Sequence, residues 1–161
     1  MRQFFVTCFL VLSFVPQTQA QYTECLRVKI FSSTNSILFK DRDIFVVHFQ
    51  LSNCGHRDQL LDFYANLGYK EDEKCSIYFD MYKQGKDNEF APYNFAKTDY
   101  QNMIDSNFML HPRKIYTFYL PLLQLYTIKE PGKYRIQGFY RYKTNEGTVV
   151  QPSDFLYLDV K

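Results

Sequence analysis

Apolar and polar side chains alternate with a period of two along most of the chain, and no stretch of ten or more residues carries a helical stripe. Leu26, Val28 and Ile30 share one face of Leu26-Arg27-Val28-Lys29-Ile30. Asp43 to Asn53 is the clearest strand, with Phe45, Val47, Phe49 and Leu51 inward and Val46, His48 and Gln50 outward. Leu60 to Ala65 reads as a short strand or a single helical turn. Ser76 to Tyr82 places Ile77, Phe79 and Met81 on one face, Ile115 to Leu120 is extended, and Gly132 to Tyr142 is a long strand. Thr144-Asn145-Glu146-Gly147 has hairpin-turn chemistry. Thr148 to Val150 and Phe155 to Val160 pair back across it, interrupted by Pro152 at a bulge or an edge. Seven or eight short strands with turns between them predict an antiparallel sandwich or barrel.

Composition supports that reading. Of 161 residues, 19% are aromatic, and Tyr and Phe suit half-buried pleated surfaces. With 46% hydrophobic residues and a formal charge of +2, the chain is neither disordered nor basic enough to neutralise a run of phosphates. Nucleic acid is therefore not the expected partner.

Residues 1–20 read as a cleaved secretory signal peptide. Arg2 supplies the positive end, Phe4 to Val15 the apolar stretch, Pro16 the break and Thr18-Gln19-Ala20 the small-x-small cleavage pattern. The apolar stretch is too short to cross a hydrocarbon core of about 30 Å, so no transmembrane segment is expected in the mature chain. Residues 21–161 then form a single domain, exported to the periplasm, the cell surface or the medium. Three cysteines stay with it. Cys54 and Cys75 bracket a polar loop and are the preferred disulfide, with Cys25–Cys75 second and Cys25 otherwise a free thiol.

Catalytic chemistry is sparse. His48, His56 and His111 have no metal-binding spacing, and no nucleophile elbow, phosphate loop or dinucleotide fingerprint occurs. Asp41-Arg42-Asp43 and Glu71-Asp72-Glu73 are too small to supply the six to eight oxygens of a calcium site alone. Neither an enzyme nor a cofactor is expected. The segment Glu89 to Asn107 is long for a strand connection and holds Phe90, Tyr93, Phe95 and Tyr100. These rings either cover an open end of the core or form a partner-binding platform.

Glu130-Pro131-Gly132-Lys133-Tyr134-Arg135-Ile136 resembles the start of the penultimate strand of an immunoglobulin-like sandwich. There a tyrosine after a tight turn folds its hydroxyl back to the upstream backbone as a tyrosine corner, the role the resemblance gives Tyr134; an ordinary core tyrosine is the other reading. Ser153 to Val160 is similar to the last strand of secreted bacterial sandwiches, and Ile44 to Asn53 to their second. The set also resembles the bacterial proteinase-inhibitor domains of the intracellular proteinase inhibitor type. The match covers about half of the mature chain, lacks the core Trp of antibody domains, and has Ile136 where their inter-sheet cysteine stands. The resemblance implies an antiparallel immunoglobulin-like β-sandwich of seven to eight strands. The function expected is a non-catalytic envelope or accessory module that binds an extracellular or envelope protein, in one version as a proteinase inhibitor. A carbohydrate-binding module with a Tyr/Phe platform for a glycan is the alternative.

Overall fold

A computed structural model describes residues 25–64, 70, 75–97, 105–144 and 147–161; the leader 1–20, the acidic loop 71–73 and Tyr100 lie outside the described residues. The strands are β1 (Leu26–Phe31), β2 (Ser36–Ile37), β3 (Val47–Asn53), β4 (Gln59–Tyr64), β5 (Ile77–Gln84), β6 (Phe90–Pro92), β7 (Ala96–Lys97), β8 (Asp105–Leu110), β9 (Ile115–Leu120), β10 (Tyr126–Thr127), β11 (Gly132–Thr144) and β12 (Gly147–Val160). Among the described residues helix is confined to a 3-10 segment, Phe39–Ile44, and one turn, α1 (Leu122–Leu125). The fold is all-β, and among the described residues no helix is long and apolar enough to cross a membrane.

The strands form a three-stranded sheet ordered β1-β3-β9 and a five-stranded sheet ordered β2-β12-β11-β5-β6, with two small pairs, β4-β8 and β7-β10. One pairing departs from the antiparallel expectation: β2 runs parallel to β12. The segment expected to be irregular after Glu89 holds β6 and β7 and ends in β8, and the ambiguous Leu60 stretch is β4. The strand expected from Asp43 begins only at Val47, because Phe39–Ile44 is wound into the 3-10 segment.

The inner faces of the two large sheets share one core. Phe45, Val47, Phe49 and Leu51 are buried, as are Ile77, Phe79, Met81, Tyr134, Ile136, Leu156 and Leu158. Phe49 meets Phe79 edge-on across the layers, with ring centroids 5.8 Å apart. Tyr126 also packs edge-on against Phe79 (5.7 Å), and its hydroxyl accepts a hydrogen bond from the Phe79 N–H (3.2 Å). The layers approach closely at Gly138. A Cβ there would lie 2.9 Å from Ile30 Cγ2, 3.0 Å from Phe49 Cε2 and 3.1 Å from Phe79 Cε1. Only hydrogen fits.

Opposite Gly138 the β11–β12 ladder slips. Gln137 pairs with Phe155 but Phe139 pairs with Pro152, so Ser153 and Asp154 together face one residue. The buried Ser153 holds the bulge: its hydroxyl accepts the Gly138 N–H (2.9 Å), and its carbonyl accepts from Gln137 Nε2 (2.8 Å).

The disulfide differs from the expected pair. Cys54 is bonded to Cys25, and Cys75 is a buried thiol outside the disulfide. The register of β1 on β3 explains it. Leu26 faces Asn53, so Cys25 and Cys54 are the next cross-strand pair, with Cα atoms 5.0 Å apart and the Cys54 N–H donating to the Cys25 carbonyl (2.8 Å). Cys75 precedes β5 in the other sheet, where its thiol donates to the Ile77 carbonyl (2.6 Å). Proximity in sequence misled, because the chain changes sheets between Cys54 and Cys75.

Peptide mapping without reduction is expected to recover a Cys25–Cys54 cross-link and an unbridged Cys75 peptide; a bridge containing Cys75 would contradict the register. Replacing both bridged cysteines by Ala removes a 29-residue closure and is expected to cost about 3–4 kcal/mol of unfolding free energy. Gly138→Val is expected to cost about 1–3 kcal/mol by overpacking, read from urea unfolding.

Candidate functional site

Along β11 the side chains alternate, with Tyr134, Ile136 and Tyr140 buried inward and Arg135, Gln137 and Phe139 on the outer face. The ladders place Arg135 between Tyr82 of β5 and Tyr157 of β12. Its guanidinium carbon lies 4.7 Å from the ring centroid of Tyr82, 5.1 Å from that of Phe90 and 4.5 Å from that of Phe155. The rings also brace one another: Tyr82 meets Phe155 edge-on at 6.2 Å, and Phe90 meets Tyr157 at 6.0 Å. A cation among π faces is attracted to each, by about 0.5–2 kcal/mol depending on desolvation. Arg135 Nε is buried and makes no hydrogen bond among the described residues, so the rings are its principal environment. Phe155 and Tyr157 are 38% and 55% exposed.

A second arginine stands further along the same face. Arg141 lies over Tyr78 (5.0 Å), which is stacked flat on Phe139 (4.9 Å, 6° between planes). Its guanidinium donates to the carbonyls of Lys70 (2.7 Å) and Cys75 (3.4 Å). Arg141 is therefore an anchor that ties the chain before β5 to the sheet, whereas Arg135 is surrounded by the rings of Tyr82, Phe90 and Phe155.

Beside the Arg135 cluster lies a cleft of about 320 Å³ lined by Asn35, Gln84, Phe90, Lys133, Tyr157 and Asp159. That volume is at the lower end of ligand-binding clefts. Two amides, one cation and one carboxylate there offer hydrogen bonds of both senses, beside the rings of Phe90, Tyr134 and Tyr157 and the side chain of Leu158. No group of three or more His, Cys, Asp or Glu that could hold a metal ion occurs among the described residues.

The aromatic residues expected to form one platform are divided. Phe90 belongs to the outer-face cluster. Tyr93 and Phe95 turn onto the core: Tyr93 is edge-on to Tyr134 (5.2 Å) with its hydroxyl accepting the Lys129 N–H (2.9 Å), and Phe95 is edge-on to Tyr126 (4.6 Å). Tyr100 lies outside the described residues. Tyr134 is fully buried and its hydroxyl donates to the Glu130 carbonyl, four residues upstream, at 2.7 Å. Lys83 reaches over the Tyr134 ring (6.0 Å) to pair with Glu130 (2.6 Å). Gly132, at φ +150°, lets the turn pass: a Cβ there would meet Lys83 Cε at 2.7 Å. Cys54 and Cys75 are in different sheets and do not meet. Arg135, Tyr82, Phe155 and Tyr157 were not singled out from sequence, although aromatic residues at outward strand positions are a readable sign.

Burial pushes the Tyr134 phenol well above its ordinary value of 10, and the neighbouring Tyr93 adds to the rise. Tyr78 is raised too, by burial, against the lowering influence of Arg141. No protein-family model matches the chain, and no curated protein matches it.

A phenol that ionises less readily when folded stabilises the fold below its unfolded value and loses that contribution as pH rises beyond it. Unfolding free energy is therefore expected to fall as pH climbs above 10, and less steeply in Tyr134→Phe. At neutral pH the same substitution leaves the Glu130 carbonyl without its partner and is expected to cost about 1 kcal/mol in urea unfolding.

Proposed function

We propose that this chain is an exported, non-catalytic binding module with an immunoglobulin-like sandwich fold, and that it contacts a protein partner through the outer face of its five-stranded sheet. The observation that carries the reading is the exposed Phe155 and Tyr157 placed around the ring-held Arg135. Aromatic side chains and arginine are the residues that dominate binding energy at protein interfaces. Here their geometry is already fixed by the sheet, so little ordering accompanies association.

Three observations support the fold reading. The sheet orders β1-β3-β9 and β2-β12-β11-β5-β6 follow the division of strands between the layers of such a sandwich. Tyr134 makes the upstream hydrogen bond of a tyrosine corner. Phe49 and Phe79 fill the inter-sheet space that Trp and a disulfide occupy in antibody domains. Export is supported by the leader-like residues 1–20 and by the Cys25–Cys54 bridge, which persists in oxidising compartments. A proteinase is one form the partner takes in this reading.

The cleft beside Arg135, with its amides and rings, favours a second reading, a glycan-binding module. Phe90 and Tyr157, however, meet at 70°, which gives a sugar ring no flat pair of faces to stack on. The protein reading is the better supported one.

The test is capture from a native envelope extract with the full chain and with its Phe155→Ala/Tyr157→Ala variant. Loss of a hot spot of about 2 kcal/mol weakens binding roughly thirtyfold, so the variant is expected to release the partner while its melting curve stays close to that of the parent. Tyr93→Ala/Phe95→Ala is expected to lower the melting temperature instead, because those rings pack on the core. A partner retained equally by the Phe155→Ala/Tyr157→Ala variant would contradict the assignment of this face. Retardation in a polysaccharide gel with no captured protein would favour the glycan reading.

A further inference from the structure

The opposite, three-stranded sheet ends in β9, which among the described residues pairs with a strand on one side only. Two backbone bonds fix which of its groups face the other side. The Asn53 N–H donates to the Lys114 carbonyl (3.1 Å), and the Cys54 N–H donates to the Cys25 carbonyl (2.8 Å). In an antiparallel ladder hydrogen-bonded pairs alternate with non-bonded ones. Odd-numbered residues of β3 therefore bond toward β9 and even-numbered residues toward β1. The bonded partners on β9 are Tyr116, Phe118 and Leu120. The N–H and C=O groups of Ile115, Thr117 and Tyr119 point away from β3, along the outer edge of the sheet.

The side chains on that edge lack the usual protection. Ile115-Tyr116-Thr117-Phe118-Tyr119-Leu120 contains no charge and no proline, the devices that keep an edge strand from pairing. Ile115 is 60% exposed, Tyr116 46% and Tyr119 67%.

We propose that β9 pairs with β9 of a second copy of this chain, antiparallel and centred on Thr117, joining two three-stranded sheets into one. Of the antiparallel phases, this one gives all three outward-bonding residues a partner. With Thr117 opposite Thr117, the three outward-bonding residues face outward-bonding residues: Ile115 meets the second copy's Tyr119, Thr117 meets Thr117, and Tyr119 meets Ile115. Every pair keeps both side chains on the same face, and Tyr116 falls beside the second copy's Phe118. Charge selects the direction. Arg113 and Lys114 precede the strand and Pro121 follows it. Antiparallel pairing brings the basic end of one copy to the uncharged end of the other. The two Lys114 residues are then six strand positions apart, roughly 20 Å, well beyond the screening length of about 8 Å. Parallel pairing would set them side by side. This surface is on the other sheet from the face assigned above and stands independently of what that face binds.

Sedimentation of the purified full chain across a concentration series, with no other protein present, tests the proposal. The chain is expected to be dimeric at the upper concentrations. Thr117→Pro is expected to be monomeric with its circular-dichroism melting retained, because the N–H it removes points to the free edge and proline is tolerated there. Tyr119→Lys, which places a charge on an exposed position, is expected to be monomeric as well and serves if the proline variant does not fold. Thr117→Cys is expected to form an intermolecular disulfide on mild oxidation, since facing Cα atoms at the axis lie about 5.5 Å apart. Ile115→Cys is expected not to, since its counterpart lies about 14 Å away. A chain that is monomeric throughout would overturn the proposal and leave the edge to a strand of another protein. A dimer that survives both Thr117→Pro and Tyr119→Lys, or equal cross-linking at positions 115 and 117, would also overturn it.

Discussion

Where Ser153 and Asp154 of β12 stand against the single residue Gly138 of β11, one extra residue changes the phase of the strand that follows. Before the bulge, Val149 and Gln151 lie beside the inward residues Tyr142 and Tyr140; after it, Leu156 and Leu158 face Ile136 and Tyr134. Inward positions pass from odd to even numbers. In an unbroken ladder Phe155 and Tyr157 would point into the core and Leu156 and Leu158 to solvent. The bulge is held by the Ser153 hydroxyl on the Gly138 N–H, and the missing side chain at Gly138 is also what lets Ile30, Phe49 and Phe79 close the layers. Core closure and the outer aromatic face thus depend on the same few atoms.

The bridge from Cys25 to Cys54 lies within one sheet and fastens β1 to β3. It does not clamp the layers together. That task falls to packing, with Phe49 and Tyr126 both edge-on to Phe79 and the Tyr126 hydroxyl satisfying a backbone N–H of β5. Two of the buried tyrosines satisfy their hydroxyls on the backbone, Tyr126 at the Phe79 N–H and Tyr134 at the Glu130 carbonyl. The inter-sheet contact is consequently sensitive to side-chain volume at Gly138 and to ionisation at high pH.

Strands whose two faces differ in polarity were legible in the sequence. In Val47–Asn53 each apolar residue is followed by a polar one, and the buried set follows directly. Phe155-Leu156-Tyr157-Leu158 is apolar on both faces, so alternation there reveals a strand without telling which side is inside. Which of Phe155 and Tyr157 or Leu156 and Leu158 face outward is for that reason not legible from the pattern. Phe90, Tyr93 and Phe95 lie within six residues of one another, yet Phe90 sits on the outer face and the other two on the core, a division made by the β5–β6 ladder rather than by any local pattern. The cysteine pairing was hidden likewise, because cross-strand neighbours 29 residues apart are set by register.

The phase of β12 is open to direct measurement by cysteine accessibility. Single substitutions Phe155→Cys, Leu156→Cys, Tyr157→Cys and Leu158→Cys, labelled with a maleimide under native conditions, report which side each position faces, and the buried Cys75 contributes little background. Fast labelling at positions 155 and 157 with slow labelling at 156 and 158 is the expected result. The reverse alternation would mean that the bulge at Gly138 does not set the strand as described, and the outer aromatic face would fall with it.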